Sequence, residues 1–508
     1  MGDRRIEHAD QLSWGTREAR GAVLATVLGS GLTFLAGTSI NVALPALADE
    51  LDAGISTLQW TVNAYTLTLA ALVLVGGSLG DRFGRRRVFV VGTVWLAVTS
   101  LLCGLAWDAT SLIVARALQG IGAALLTPAS LAILQASFRP GDRARAVGAW
   151  SGLAGIAAAV GPLLGGLLVE AWTWRLIFLI NVPLAVVVVV AAMRYLPETG
   201  GAAAAPRLDL VGAALAAVGL AVVTWALTGA GERGLSPVSA TVGVAGVVTL
   251  VVFVLVERRS SHPMMPPDIF ASRQFTGANL VTFAVYAVLG GAFFLITLQL
   301  QLVLGYAPVA AGAAALPITL LMLLLSARAG ALAERIGPRL PMTIGPLVIA
   351  VGLLLLTGLD ADSDYLTGVL PGVTVLGLGL AGTVAPLTAT VLAATSPRLV
   401  GVASGVNNAV SRAAGLLAVA ALPALAGLSG ESVEDPAAFS DGFGVAMVIS
   451  AGVAALGGLL AWATIRNQLV HQAQPCPATQ LDSHHHCPLD GPPAASAADA
   501  SRAGAASS

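Results

Sequence analysis

The chain contains no lysine and very little charge of any kind. Charged residues make up 10% of its 508 positions, where a soluble globular chain carries roughly 25%. A surface facing water cannot be built from so few. Hydrophobic residues reach 56% and mean hydropathy is +0.84, so lipid is the surrounding medium over much of the molecule. All 26 basic residues are arginine, and the net charge of −1 gives no general basic field for nucleic acid. Without lysine there is no Gly-x-x-x-x-Gly-Lys-Ser/Thr nucleotide loop. The three cysteines, Cys103, Cys476 and Cys487, give no readable disulfide framework. No Asp or Glu lies well inside an apolar run, and Glu170 and Asp209 stand at run ends. A membrane-embedded enzyme would need an interior cluster of His, Asp or Glu, so enzymatic chemistry is not expected. No cofactor is expected either.

What is present is a series of apolar runs. A spanning helix needs roughly 20 apolar residues for a hydrocarbon core of about 30 Å. About fourteen such runs fall near residues 21–48, 58–80, 88–107, 110–136, 146–170, 175–196, 208–229, 237–256, 277–303, 308–330, 341–359, 365–393, 400–428 and 440–464. Residues 1–20 are polar and lack the apolar core of a cleavable signal. Residues 466–508, rich in Pro, Ala and Ser, read as a disordered tail. Its His484–His486, Cys476 and Cys487 match no zinc spacing, so no metal site is expected.

Arginines crowd alternate loops: Arg4, Arg5, Arg17 and Arg20; Arg82 and Arg85–Arg87; Arg139, Arg143 and Arg145; Arg258, Arg259 and Arg273; Arg335 and Arg339; Arg398. The intervening loops are acidic, with Asp49, Glu50, Asp52, Asp108, Asp360, Asp362, Asp364, Glu431, Glu434 and Asp435. Only Arg175 and Arg233 break the pattern. Positive loops stay in the cytoplasm. The expectation is a multi-pass protein of the plasma (inner) membrane with both termini cytoplasmic and an even number of helices.

The chain also repeats itself. Gly77-Ser-Leu-Gly-Asp-Arg-Phe-Gly-Arg-Arg86 recurs 253 residues later as Gly330-Ala-Leu-Ala-Glu-Arg-Ile-Gly-Pro-Arg339. The same offset carries Val147, Gly148, Ser151 and Gly152 onto Val400, Gly401, Ser404 and Gly405. The expected fold class is an all-α membrane protein of two six-helix bundles, residues 21–196 and 277–464, related by a parallel pseudo-two-fold. An inserted helix pair occupies residues 208–256. Parallel repeats with a site between them mark one large transporter architecture.

Within the loop motif, Gly84 suits a tight turn at positive φ. Arg82, Arg85 and Arg86 suit the negative end of the preceding helix, and Asp81 does not, so it needs a cationic partner. Gly77, Asp81, Arg82, Gly84, Arg85 and Arg86, with Glu334 and Arg335 of the repeat, form a candidate conformational latch. A plain positive loop with a structural turn is the competing reading. Gly152, Gly155, Gly161, Pro162, Gly165 and Gly166 let neighbouring helices approach closely, and small-residue packing alone also explains them. Arg116 lies about six residues into its run, where a side chain can snorkel outward. Arg412 lies about twelve residues into its run, about 18 Å deep at 1.5 Å per residue. A charge there costs at least ~2.5 kcal/mol and faces a cavity or a partner. Ser404, Asn408 and Arg412 make one polar stripe. Asn41, Gln59, Asn63 and Tyr65, and more weakly Gln119 and Gln299, are further candidates for a substrate or proton pathway. Each alone also reads as a helix–helix hydrogen bond.

These residues resemble the major facilitator superfamily, and within it the fourteen-helix drug:proton antiporters, over roughly residues 20–465. The Gly77–Arg86 loop is similar to the superfamily signature. Leu112-x-x-x-Arg116-x-x-Gln119-Gly120-x-Gly122-x-Ala124 resembles its fourth-helix motif. Gly161-Pro162-x-x-Gly165-Gly166 resembles the antiporter motif, and Trp174-Arg175-x-Ile177-Phe178-x-Ile180-Asn181-Val182-Pro183 the family's sixth-helix opening. The resemblance implies a secondary-active exporter of lipophilic drugs or antibiotics driven by protons through alternating access. It also implies a latch role for Asp81 and its arginines, proton coupling at Arg116, and an export bias from the glycine run. The partners it implies are a small molecule, protons and the bilayer, not nucleotide or nucleic acid. Two alternatives stand beside it: a dedicated exporter of one endogenous metabolite, and a transporter-like sensor that moves nothing.

The chain departs from the family in its first helix, where the usual acid is Ala36. Arg116 and Arg412 are then the clear intramembrane charges. Neutral or anionic substrates are expected in place of cationic dyes.

Overall fold

The computed structural model describes residues 11–201, 209–234, 236–260, 263–396, 399–428 and 435–467, without the side chains of residues 144, 151, 152, 154–159 and 233. The tail histidines and cysteines, Arg398, Glu431, Glu434 and the side chain of Ser151 lie outside that set.

Among the described residues the regular elements are all helical. They are α1 (Arg17–Thr38), α2 (Ile40–Leu51), α3 (Ile55–Phe83), α4 (Arg85–Gly104), α5 (Ala109–Ser137), α6 (Pro140–Ala171), α7 (Leu176–Leu179), α8 (Asn181–Tyr195) and α9 (Leu210–Arg233). The chain continues through α10 (Pro237–Arg259), α11 (Arg273–Leu298), α12 (Pro308–Ala314), α13 (Leu316–Ile336), α14 (Arg339–Leu355), α15 (Leu370–Ala393), α16 (Val400–Leu425) and α17 (Pro436–Thr464).

Local sequence sets many of the boundaries. Asp108 caps α5 by accepting the Ser111 N–H, and the Ser111 hydroxyl accepts the Asp108 N–H in return. Ser236 and Ser239 make the same reciprocal box at the start of α10, with Pro237 at its first turn. The apolar run expected at 21–48 is divided between α1 and α2. There the Ser39 hydroxyl donates to the Leu35 carbonyl at 2.6 Å, a back-bond that competes with the helical ladder and bends helices.

Twelve helical segments among the described residues are long and apolar enough to cross a membrane. Two further apolar helices, Val160–Ala171 within α6 and Arg339–Leu355, are shorter. α6 as a whole runs 32 residues, Pro140–Ala171, and 160–171 is its end segment, so helix length separates the count from the fourteen runs expected at α14 and not at α6. A helix of 17 residues such as α14 rises about 26 Å, short of a core of about 30 Å.

One buried cluster joins α1, α3, α4, α5 and α8 around Tyr65, Phe89 and Phe138. A larger one runs through α11–α17 and reaches α2, α3, α5 and α7. α9 packs against both α3 and α16, with Leu220 between Ala70 and Leu416. α10 packs on α9 and exposes Val244, Val247, Val248 and Val251 on its outer face. An apolar outer face with no protein cover is what lipid requires.

Candidate functional site

Arg116 is fully buried. It does not snorkel outward. Its Nε donates to the Thr61 carbonyl at 3.0 Å, and its Nη1 donates to the Ala36 carbonyl at 2.9 Å and to Gln119 Oε1 at 2.6 Å. Gln119 in turn donates to Ser100 Oγ at 2.6 Å. The guanidinium stacks 4.5 Å from the Tyr65 ring centre, and the Tyr65 hydroxyl donates to the Thr33 carbonyl at 2.8 Å. α1, α3, α4 and α5 therefore clamp one charge. Gln119 and Tyr65, expected to line a pathway, hold Arg116 in place. Thr61 and Ser100 complete the arrangement, and no sequence signal marked them.

Four side-chain atoms of three candidate residues are unspent. Arg116 Nη2 is buried without a hydrogen-bond partner, as are both polar atoms of the fully buried Asn63 and Oδ1 of Asn41. Buried polar atoms of this kind normally find a partner.

Arg412 on α16 is held differently. It is half-buried, with its guanidinium 6.0 Å from the Phe34 ring centre of α1. Its helix faces inward, since Gln59 of α3 donates to the Val419 carbonyl of α16 at 2.6 Å. Ser404 and Asn408 are half-buried on the same helix. Asn407, which the sequence reading passed over, donates to Thr282 Oγ1 at 2.7 Å and to Asn279 Oδ1 at 3.2 Å, tying α16 to α11. Gln299 donates to the Leu359 carbonyl and to Ser440, a purely internal bond.

At one end of the molecule α6 packs against α1, α2 and α12. A Cβ on Gly161 would stand 2.3 Å from Thr38 Oγ1, and one on Gly165 2.9 Å from the Ser39 Cβ. A Cβ on Gly166 would stand 2.5 Å from the Pro308 carbonyl oxygen, and one on Gly312 2.5 Å from that of Pro162. Real Cβ atoms do not approach so closely, so α6 meets α12 backbone to backbone. Val309 N–H donates to Glu170 Oε2 at 3.3 Å, and Gln301 donates to the Val42 carbonyl at 3.2 Å, across the same end. Nearby, Glu50 accepts from the Trp174 indole at 2.6 Å and pairs with Arg175. The Arg175 guanidinium, helped by Trp174, holds the Glu50 carboxyl below the usual carboxylate range. This pairing explains why Arg175 breaks the arginine pattern of the loops.

The opposite end carries the repeated loop motif. Gly84 has φ +100° and Gly337 φ +88°, the left-handed side that glycine alone adopts freely. Asp81 accepts from Arg85 Nε at 3.0 Å and Nη2 at 2.8 Å, within its own turn. Glu334 and Arg335 are exposed. The segment after α8 completes the first turn: Glu198 accepts the Arg86 N–H at 3.0 Å and lies 3.7 Å from Nε of both Arg86 and Arg87. Asn467 does the equivalent for the second, accepting the Arg339 N–H at 3.1 Å. An acid just past a run's end, at Glu198, was the signal available for this contact.

Helices of this number and packing, with a glycine seam between α6 and α12 and a buried arginine on α5, have counterparts among known proteins. The family model of the Major Facilitator Superfamily matches residues 26–419. The chain belongs to the Major Facilitator Superfamily. It is therefore a multi-pass membrane transporter. It is 38% identical over 447 residues to the puromycin resistance protein pur8 of Streptomyces alboniger, covering 85% of this chain and 89% of that one. It is 37% identical to the cephamycin export protein CmcT of Amycolatopsis lactamdurans, covering 86% and 92%. It is 34% identical to a tetracenomycin C resistance and export protein of Streptomyces glaucescens, covering 79% and 75%. Among solved structures, the peptide transporter POT in complex with sulfate aligns with a TM-score of 0.65 at 15% identity, covering 91% and 98%. A D-xylose-proton symporter aligns with a TM-score of 0.63 at 14% identity, covering 88% and 97%. At such identities the likeness concerns the fold alone.

Proposed function

We propose that this major facilitator chain is a secondary-active exporter of antibiotics or similar lipophilic molecules, working by alternating access and coupled to protons. Relatives named for resistance and export across most of their lengths support the export direction. Those named for a single antibiotic also fit a dedicated exporter of one metabolite. In this reading residues 21–196 and 277–464 are the two moving halves, α6 and α14 complete fourteen spans, and the arginine-rich loops with both termini lie in the cytoplasm. The glycine seam of α6 and α12 is then the closed outer gate. Asp81, paired only within its own turn, is the latch in its released state.

The observation that carries the substrate class is electrostatic. Arg116 and Arg412 both lie against α1, Arg116 on the Ala36 carbonyl and Arg412 beside the Phe34 ring, while the position nearest Arg116 on α1 is Ala36, which contributes only its carbonyl. Two guanidiniums without an opposing carboxylate favour neutral or anionic cargo.

The test is proton-gradient dequenching in inside-out vesicles with a panel of anionic, neutral and cationic compounds. Anionic and neutral compounds are expected to release protons, and cationic dyes are expected to do so only with Ala36→Asp. Release by cationic dyes in the wild type would sink the electrostatic argument. Silence across the panel would favour a dedicated cargo or a sensor.

A further inference from the structure

The pair α9–α10 carries a feature that Arg116 and Arg412 do not explain. Glu257, in the last turn of α10, is 1% exposed although it sits beside the exposed Arg258 and Arg259. It turns inward onto the start of α9. Asp209 caps that helix, its Oδ1 accepting the Gly212 N–H at 2.7 Å. Glu257 Oε2 is likewise occupied, accepting the Met265 N–H at 3.0 Å. The remaining oxygens, Asp209 Oδ2 and Glu257 Oε1, are both buried and both without a hydrogen-bond partner. They face one another across Gly212. The position a Cβ on Gly212 would take is 2.5 Å from Glu257 Oε1 and 3.0 Å from Asp209 Oδ2. Glycine leaves the space in which the two carboxyls meet.

Two ionised carboxylates so placed repel in a poorly solvated site, and neither oxygen can donate to the other. One proton between them removes the repulsion and satisfies both orphaned atoms at once. Among the described residues no arginine forms an ion pair with either acid. Among the described residues the charged and polar groups facing the pair are Asp209 and the Gly212 N–H from α9 and the Met264 and Met265 N–H groups from the segment after α10; Arg258 and Arg259 are exposed. A divalent cation is a poor alternative, since the hard cations take six or more oxygens and no group of three or more metal-donor side chains exists among the described residues.

We propose that Asp209 and Glu257 form a proton-binding site, a carboxyl–carboxylate pair that holds a single shared proton at the foot of the inserted helices. The site lies on the face of the arginine-rich loops and apart from Arg116 and Arg412. Because α9 packs on both α3 and α16, proton occupancy at its foot acts on the element that straddles them. Loss of the proton leaves two like charges that push the end of α10 from the start of α9. The proposal rests on the fold and not on the direction of transport.

The experiment uses the full chain in lipid nanodiscs. Infrared spectra in heavy water are collected from about pH 5 to about pH 9, where lone exposed carboxyls have largely ionised by the middle of the range. The wild type is expected to show a protonated-carboxyl stretch persisting at neutral pH and lost on alkalinisation. Glu257→Gln and Asp209→Asn, in which an amide N–H replaces the shared proton, are each expected to lose it. Melting temperature should fall with rising pH in the wild type more than in either variant. No persistent band in the wild type, or a band unchanged in both variants, overturns the proposal, and the wild-type spectrum alone decides it if the variants fail to fold. A band that responds to added calcium or magnesium instead of pH overturns it in favour of a metal.

Discussion

Arg116 and Arg412 are the same residue type on two inward-facing helices, and the fold treats them oppositely. Arg116 is saturated on most sides by the Ala36 and Thr61 carbonyls, by Gln119 and by the Tyr65 ring. Arg412 touches a single ring at 6.0 Å. A charge fixed by backbone carbonyls is part of the scaffold and supplies a constant field. A charge that is half-buried and weakly held can follow a ligand. The two arginines thus divide between them what one sequence pattern assigned to both.

Removing each arginine gives the largest contrast. Arg116→Ala removes the donor to the buried Gln119 Oε1, at about 1–3 kcal/mol, and empties the volume of a large buried side chain, at about 2–5 kcal/mol more. A loss of several kcal/mol and little folded protein are expected in thermal melts. Arg412→Ala should change stability by about 1 kcal/mol or less yet lower export of anionic compounds at least ~10-fold, a difference of ~1.4 kcal/mol in binding. Equal destabilisation by the two variants would break the comparison.

A second contrast sets the packed part of α6 against its open part. Gly166→Val drives a side chain into the Pro308 carbonyl and should abolish transport by preventing closure of that end. Gly148, on the same helix, has nothing within 4 Å of its Cβ position, so Gly148→Ala should leave transport and stability near wild type. Comparable losses at both positions would mean that α6 needs its glycines for some reason other than the seam.

The smallest expected effect is at Glu50. Its carboxyl is held low in the folded protein by Arg175. The stabilisation is therefore present at neutral pH and is lost as pH falls through the folded-state value. Glu50 is 47% exposed and Arg175 28%, so solvent screens the pair and it is worth no more than about 1 kcal/mol. Wild type and Glu50→Gln should converge in melting temperature on acidification. An unchanging gap would assign the effect to packing against Trp174.

Hydropathy, arginine placement and the 253-residue repeat made the membrane, the helices and the transporter architecture legible in the sequence, because lipid admits few backbone solutions. The turn at Gly84 and the close-packing role of Gly161, Gly165 and Gly166 were legible for the same kind of reason: only glycine meets those steric demands. The division of labour between Arg116 and Arg412 was not, since it depends on which carbonyls lie within 3 Å, and these belong to helices distant in sequence. Nor could the sequence bring Asp209 to Glu257, or α9 to both α3 and α16. Periodicity fixes which residues share one helix face. What that face meets is decided by packing among helices, where backbone approach distances of an ångström determine whether a buried charge is spent or free.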